Sequence, residues 1–504
     1  MQPPDPDWQP MGYQYLIEAW GLLVPKPWHA SYVAARGGRQ QITVGGLTRT
    51  VFPPSYARPL EWADQIAFAL KYDGVELEAL AALFAKLDGG VIEDWVRLKP
   101  TGKYARRAWF LFEWLTGQRL NLPDLSRGGY IDLLDPEQYF TAPRRQSARY
   151  RINDNLLGTV SFCPTVRRTP LLVDMEEAAL DERCRAIAQD TPPALLRRAV
   201  DYLFLKETRS SFAMERETPS ALRAERFVAA LMRAGSEDFL DQVKLIALQN
   251  QVVDSRFCDS SYRSDQNYVS QTVGWTDQRV HYVCPQPQDV SPLMDGLIAA
   301  QGRMTGSLLI EVHPVVHAAV VGFGFVFIHP FSDGNGRLHR FLIHQVLAQR
   351  GFTPSGMILP VSAVMLDQMA DYDAALEAFS RPRLTLIDYE LDAAGEMTVA
   401  GDTGYLYRYP DLTPQAEALA GFVTHAVNEG LPRELAFLRG YDECRAVVRR
   451  EVDLPDRLLD LLLRLLGQHD GKLSARKRAA HFSMLTDDEI RRVEGVFGEV
   501  FGLD

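Results

Sequence analysis

Residues 314–328, PVVHAAVVGFGFVFI, contain no charged side chain, and His317 alone interrupts their apolar character. A helix that is apolar on nearly every side has to be central, with the rest of the fold built around it. The stretch is shorter than the roughly 20 residues a bilayer crossing needs, so it reads as a buried helix. His313-Pro314 opens it, proline being suited to the first helical turn. Straight after it comes HPFSDGNGRLHR, residues 329–340. A second helix follows, from Gly334–Asn335 to Arg350, with Leu338, Phe341, Leu342 and Val346 facing inward. Gly351 lies just beyond its end and Pro354 further on. The sequence therefore predicts a buried helix, a polar loop, and a helix whose amino end points into that loop.

Such an amino end offers unpaired backbone N–H groups and the positive pole of the helix dipole. Gly334 and Gly336 flank Asn335 and let the chain turn tightly and approach a ligand without a Cβ in the way. The combination makes a phosphate cradle. Arg337 and Arg340 share one helix face, and paired guanidinium forks suit successive phosphates. Asp333 is placed to hold the Mg²⁺ that a triphosphate carries. His329 is placed across the phosphate as a general base. Each feature alone is common; the fixed spacing of all of them carries the reading.

The stretch resembles the Fic family signature HPFx(D/E)GNGRxxR, matching at His329, Pro330, Phe331, Asp333, Gly334, Asn335, Gly336, Arg337 and Arg340. The resemblance implies a mainly α fold: a Fic-type helical core with a β-hairpin flap. It also implies protein adenylyltransferase activity (AMPylation), with ATP as substrate and Mg²⁺ or Mn²⁺ as its metal. His329 would take the proton of a target Ser, Thr or Tyr hydroxyl, which attacks the α-phosphate. Asp333 would hold the metal, Gly334 to Arg337 would form the anion hole, and Arg340 would grip the γ-phosphate. A Doc-type kinase of the family would carry lysine where Gly336 stands. Transfer of another nucleotide and removal of AMP remain open, as does a non-catalytic Fic-scaffold adaptor.

Other segments extend the resemblance. Residues 262–294 read as the flap, with alternating RVHYV, a turn around GWTDQ, and an edge on which an extended target protein can add as a strand. By likeness Val280, His281 and Tyr282 border the nucleotide, and Tyr372 in ADYDAAL lines the adenine pocket. SSFAMERE, 210–217, supplies Ser211 and Glu215 at the spacing of the family's inhibitory helix motif, (S/T)xxxE(G/N). There the glutamate pairs with the second motif arginine, here Arg340, and blocks productive γ-phosphate binding. The sequence departs at Arg216, where Gly or Asn is usual. It departs again at Gly322, where the family often has histidine, and a packing consequence is expected there.

The chain has 504 residues, enough for several domains. We read 1–190 as an N-terminal α+β domain, 191–390 as the catalytic domain with inhibitory helix and flap, and 391–504 as a C-terminal helical segment. Residues 146–168 read as a hairpin turning near NDN, and Thr191-Pro192 as the N-cap and first residue of a helix. The leucine run 458–466 reads as core. A net charge of −11 argues against a general nucleic-acid binder. Five scattered cysteines argue against a disulfide framework and for a reducing compartment, the cytoplasm. No secretory signal is expected from MQPPDPDWQP, and no membrane partner. Homo-oligomerisation is left open. His313 and His317 have zinc-like spacing but no third ligand, so they read as structural. No GxxxxGK(S/T) run or complete dinucleotide fingerprint occurs.

Overall fold

The alternation in QQITVGGLTRTVF folds as strands Gln40–Val44 and Leu47–Phe52, joined through Gly45 and Gly46. Both glycines have positive φ, 59° and 77°, which a two-residue hairpin turn of this hand requires. The computed structural model describes residues 5–273, 277–305 and 312–503. Strands Gln9–Met11 and His29–Val33 complete a four-stranded sheet whose central pair, His29–Val33 and Leu47–Phe52, is parallel. Helices Trp62–Tyr72, Leu77–Phe84, Gly89–Leu98 and Lys103–Thr116 follow. Their apolar faces close a core around Leu80, Trp109 and Phe112.

Two local readings shift. The hairpin in 146–168 turns at 148–151, between Arg145–Ser147 and Ile152–Asp154, with Arg151 at φ 51°. NDN falls at the end of the second strand, because Asn155 is buried and bonds both the N–H and the carbonyl of Leu134 at 2.9 Å. Thr191 is not an N-cap: its hydroxyl donates to the Ile187 carbonyl at 2.7 Å, in the helix Leu180–Asp190. The next helix, Pro193–Met214, starts one residue later than read, with Pro193 in its first turn. We call it the long helix.

The central helix is Pro314–Ile328, with every residue from Val315 on buried. Each large apolar side chain it removes from water contributes about 1.5–3 kcal/mol to the cohesion of the core around it. The motif helix, Asn335–Gln349, packs along it. Gly322 marks the closest approach: a Cβ there would stand 2.7 Å from Ile343 Cγ1 and 3.2 Å from His339 Nδ1. That is the packing consequence expected at this position. The flap is the antiparallel pair Tyr268–Val273 and Asp277–Val283, a two-stranded sheet. Part of the turn read at GWTDQ, residues 274–276, lies outside the described residues. The result is a mainly α structure with a few small sheets.

The polar stretch after 390 forms a small hairpin, Tyr389–Leu391 with Met397–Val399. It leans on the flap through Tyr268, whose hydroxyl donates to the Gly395 carbonyl at 2.8 Å. The core around the central helix continues through Leu419 and Phe422 to Leu438. A further core gathers Leu459, Leu462, Leu463 and Leu466 with Ile490, Val493 and Phe497, so the leucine run is internal. No helix among the described residues is long and apolar enough to cross a membrane.

Phe162 locks the N-terminal region onto the helical core. Its ring and backbone lie where side chains on Gly296 and Gly324 would project; a Cβ on Gly296 would meet Phe162 Cβ at 2.6 Å, and one on Gly324 would meet its Cζ at 3.0 Å. Nearby, the buried Arg303 pairs with Asp154 at 2.9 Å.

Candidate active site

The central helix ends at His329, whose φ of 53° and ψ of 59° are left-handed. A partly buried non-glycine residue in that region is strained and is held there by its surroundings. Three contacts hold it. The His329 N–H donates to the Phe325 carbonyl at 2.9 Å. Its Nδ1 lies 3.1 Å from the Val326 carbonyl. Its own carbonyl accepts from Arg263 Nε at 2.8 Å. Because a carbonyl only accepts, Nδ1 carries the ring proton and Nε2 keeps a free lone pair when the ring is neutral. Burial pushes the ring pKa down to about 4, against a smaller opposing pull from the Val326 carbonyl. The imidazole is therefore neutral at pH 7 and basic at Nε2.

Arg263 has no signal in the sequence. It is buried, and besides His329 its donors reach the carbonyls of Asp265 at 2.8 Å and Pro285 at 2.5 Å. Its backbone N–H donates to Pro330 at 2.9 Å. One side chain thus ties the loop to the base of the flap.

The two glycines serve different ends. Gly334, with φ 92°, supplies the turn. Gly336 supplies room: a Cβ there would sit 2.1 Å from Glu215 Oε1. Between them, the Asn335 amide accepts from the Phe331 N–H at 3.0 Å and donates to the Phe331 carbonyl at 2.7 Å, pinning the loop.

Arg340 is buried and bound to the long helix. Its Nε donates to Ser211 Oγ at 2.9 Å, and its Nη2 to the Ser211 carbonyl and to Glu215 Oε1, both at 2.7 Å. Burial works against its charge, and the Glu215 carboxylate together with the Tyr372 hydroxyl more than offsets that. Ser211 and Glu215 belong to one face of the long helix, and Glu207 continues that face one turn back. Glu207 accepts from the Ser362 N–H at 2.9 Å and lies 2.6 Å from His344 Nε2, itself one turn beyond Arg340 on the motif helix. The long helix and the motif helix are laced together by this row, of which the sequence reading found only the last two positions.

Just beyond Glu215, Arg216 adopts φ 56°, while the Glu217 N–H returns to the Phe212 carbonyl at 3.1 Å. A left-handed residue closing a helix is a place for glycine or asparagine. The departure at Arg216 therefore puts a Cβ in a disfavoured conformation. Arg216→Gly is expected to stabilise the protein by about 1 kcal/mol, read as a raised urea midpoint.

Tyr372 is buried with its hydroxyl against the Arg340 guanidinium; burial first, and Glu215 after it, push its pKa up to about 12 despite Arg340. Val280 and Tyr282 face the core, and the Tyr282 hydroxyl donates to the Phe327 carbonyl; His281, on the opposite face of the strand, is partly exposed. The exposed strand Tyr268–Val273 has an unpaired edge among the described residues.

Asp333 is half exposed; its Oδ1 accepts from the Gly334 N–H at 2.6 Å and from Arg337 Nη2 at 2.9 Å. Among the described residues no group of three or more His, Cys, Asp or Glu could cage a metal. A Mg²⁺ that arrives on a triphosphate takes most of its ligands from phosphate and water and needs one carboxylate. Asp333 fits that demand. His313 and His317 are otherwise occupied: His313 Nδ1 accepts from the Val315 N–H at 3.3 Å, and His317 Nδ1 accepts from Arg350 at 2.9 Å.

Residues 239–347 match the model of the Fic/DOC family. That segment of the chain is a Fic/DOC family domain. The "Protein adenylyltransferase Fic" of Culex quinquefasciatus is 38% identical to it over 73 residues, 14% of this chain and 14% of that protein. The protein of the same name from Nematostella vectensis is 34% identical over 97 residues, 18% of this chain and 19% of that one. The chain thus spans less than a fifth of the length of these curated relatives. A crystal structure of a Fic family protein from Desulfovibrio desulfuricans G20 aligns with 64% of this chain and 87% of its own, at 21% identity and a TM-score of 0.38. Fic-1 from C. elegans aligns with 75% and 93%, at 16% identity and a TM-score of 0.33. The Fic match contains His329, the whole motif loop and the flap, and leaves the long helix outside it.

Burial also pushes His317 and His339 down to about 3, so with His329 three histidines fold neutral. In the unfolded chain each binds a proton below its ordinary value of about 6.5. The unfolded state then holds more protons, so stability falls as pH drops from about 6.5 towards 4. Thermal melts across that range check this, and His317→Gln should weaken the slope.

Proposed function

We propose that this protein transfers AMP from ATP to a Ser, Thr or Tyr hydroxyl of a target protein, with Glu215 restraining the reaction. The observation that carries the reading is the Fic loop itself: a neutral His329 with Nε2 free stands ahead of a helix amino end whose glycines leave room for phosphate. The target hydroxyl gives its proton to Nε2 as its oxygen bonds to the α-phosphorus. The bond from that phosphorus to the bridging oxygen breaks, and pyrophosphate leaves with the electron pair. The backbone amides of Gly334 to Arg337 and the Arg340 fork neutralise the phosphates, which is where such transfers draw most of their rate. Asp333 supplies the carboxylate for the Mg²⁺ of MgATP. The free edge of Tyr268–Val273 presents an extended target segment, with Val280, His281 and Tyr282 behind it.

Restraint follows from competition. Glu215 occupies the Arg340 donor that a γ-phosphate needs, and its carboxylate fills the space above Gly336. Incubation with α-³²P-ATP and Mg²⁺ tests both parts. Wild type should label itself weakly, Glu215→Gly at least about tenfold more, as loss of ~1.4 kcal/mol of competition gives, and His329→Ala not at all. Equal silence or equal signal in the three would favour a non-catalytic adaptor.

A further inference from the structure

Glu217 stands two residues past Glu215, where no motif spacing draws attention to it. Its Oε2 accepts from Arg337 Nη1 at 2.5 Å, and its Oε1 accepts from Arg223. Arg223, on the helix Ala221–Arg233, is itself fixed: its Nε and Nη2 donate to the Val252 carbonyl at 3.1 and 2.7 Å. Both guanidinium carbons lie 5.2 Å from the centroid of the Phe212 ring. The carboxylate is thus held between two cations that stack on one aromatic side chain of the long helix.

Of the other Arg337 donors, Nη2 is on Asp333 at 2.9 Å and Nε is buried without a hydrogen-bond partner among the described residues. Among the described residues Nη1 has the Val252 carbonyl besides Glu217, at 3.5 Å. Arg337 is 3% exposed in its side chain while Glu217 is 32% exposed. The carboxylate, not the guanidinium, is the partner that can move. A phosphate oxygen that pairs with Nη1 has to take the place of Glu217, since one fork cannot hold both anions in one geometry.

We propose that Glu217 is a second carboxylate stop, acting on Arg337 as Glu215 acts on Arg340, with Arg223 as its positioning residue. The proposal rests on the nucleotide reading of this site. Removing Glu215 alone then frees one fork of two, and full access to the phosphates requires both carboxylates to leave. The two stops also differ in what they oppose. Arg340 is assigned to the γ-phosphate and Arg337 to the anion hole behind it, so a nucleotide without a γ-phosphate escapes the competition at Arg340 and still meets Glu217.

Calorimetric titration of the full chain with MgATP and with MgADP tests this, using wild type, Glu215→Gly, Glu217→Gln and the double variant. Glu217→Gln should tighten ADP about three- to fivefold, the scale of one partly exposed ion pair, in the wild-type and the Glu215→Gly backgrounds alike. For ATP both should tighten binding, and the double variant should exceed either. Glu217→Ser, which shortens the side chain without keeping its hydrogen bonds to Arg337, should move ADP in the same direction if Glu217→Gln folds poorly. An ADP affinity unchanged within twofold in both Glu217 variants would overturn the second stop, leaving the nucleotide reading intact. Absence of ATP binding in Glu215→Gly would sink that reading and this proposal together.

Discussion

His329→Ala is expected to lower AMP transfer by about 10²- to 10⁴-fold, the range a positioned general base contributes. Among the described residues the ring bonds the Val326 carbonyl and not the arginines or glycines of the cradle, so MgATP affinity should stay within twofold. Rate and affinity therefore separate, which a collapsed loop would not allow. The wild-type rate should be flat from pH 8 to about 5 and fall towards pH 4, as Nε2 becomes protonated near its lowered pKa of about 4. The fall is in the acid limb because the neutral ring is the working form. Single-turnover labelling of a Glu215→Gly background, with and without His329→Ala, gives the measurement. A drop of less than tenfold would mean that the base lies elsewhere.

Phe162→Ala is expected to cost about 3–5 kcal/mol, the range for emptying a buried phenylalanine site. The site has little capacity to collapse, since Gly296 and Gly324 have no side chains with which to fill the void. Urea denaturation followed by fluorescence should show the midpoint falling accordingly. Because the lost contact joins the N-terminal region to the helical core, the transition should also broaden or split. A loss below 1 kcal/mol would show that Phe162 does not hold the two parts together.

The helices at the site were legible because their signals are local. An uncharged apolar run, a proline at its start and a glycine at each end of interest placed Pro314–Ile328 and Asn335–Gln349 closely. Glu215 was legible through the resemblance of SSFAMERE to the family's inhibitory motif, upstream of the flap. Arg263, Glu217 and Glu207 were not, because each acts across the chain on a partner tens of residues away, and a lone charged residue looks the same on a solvated face. NDN misled for a related reason: buried Asn155 spends its amide on Leu134 rather than on a turn. Arg216 shows the limit of motif matching, since the left-handed backbone is present although neither usual residue is.

The long helix has a further neighbour, the helix Leu431–Glu451. Lys206 pairs with Glu434, Tyr202 stacks on Phe437 at 6.4 Å, and Arg198 meets Asp442 at 2.5 Å. A fragment ended at the polar stretch after 390 would strip the far wall from the element that carries Glu215. Such a truncate would run faster or slower for want of a backstop, and its turnover would report the missing buttress rather than the innate speed of the loop around His329.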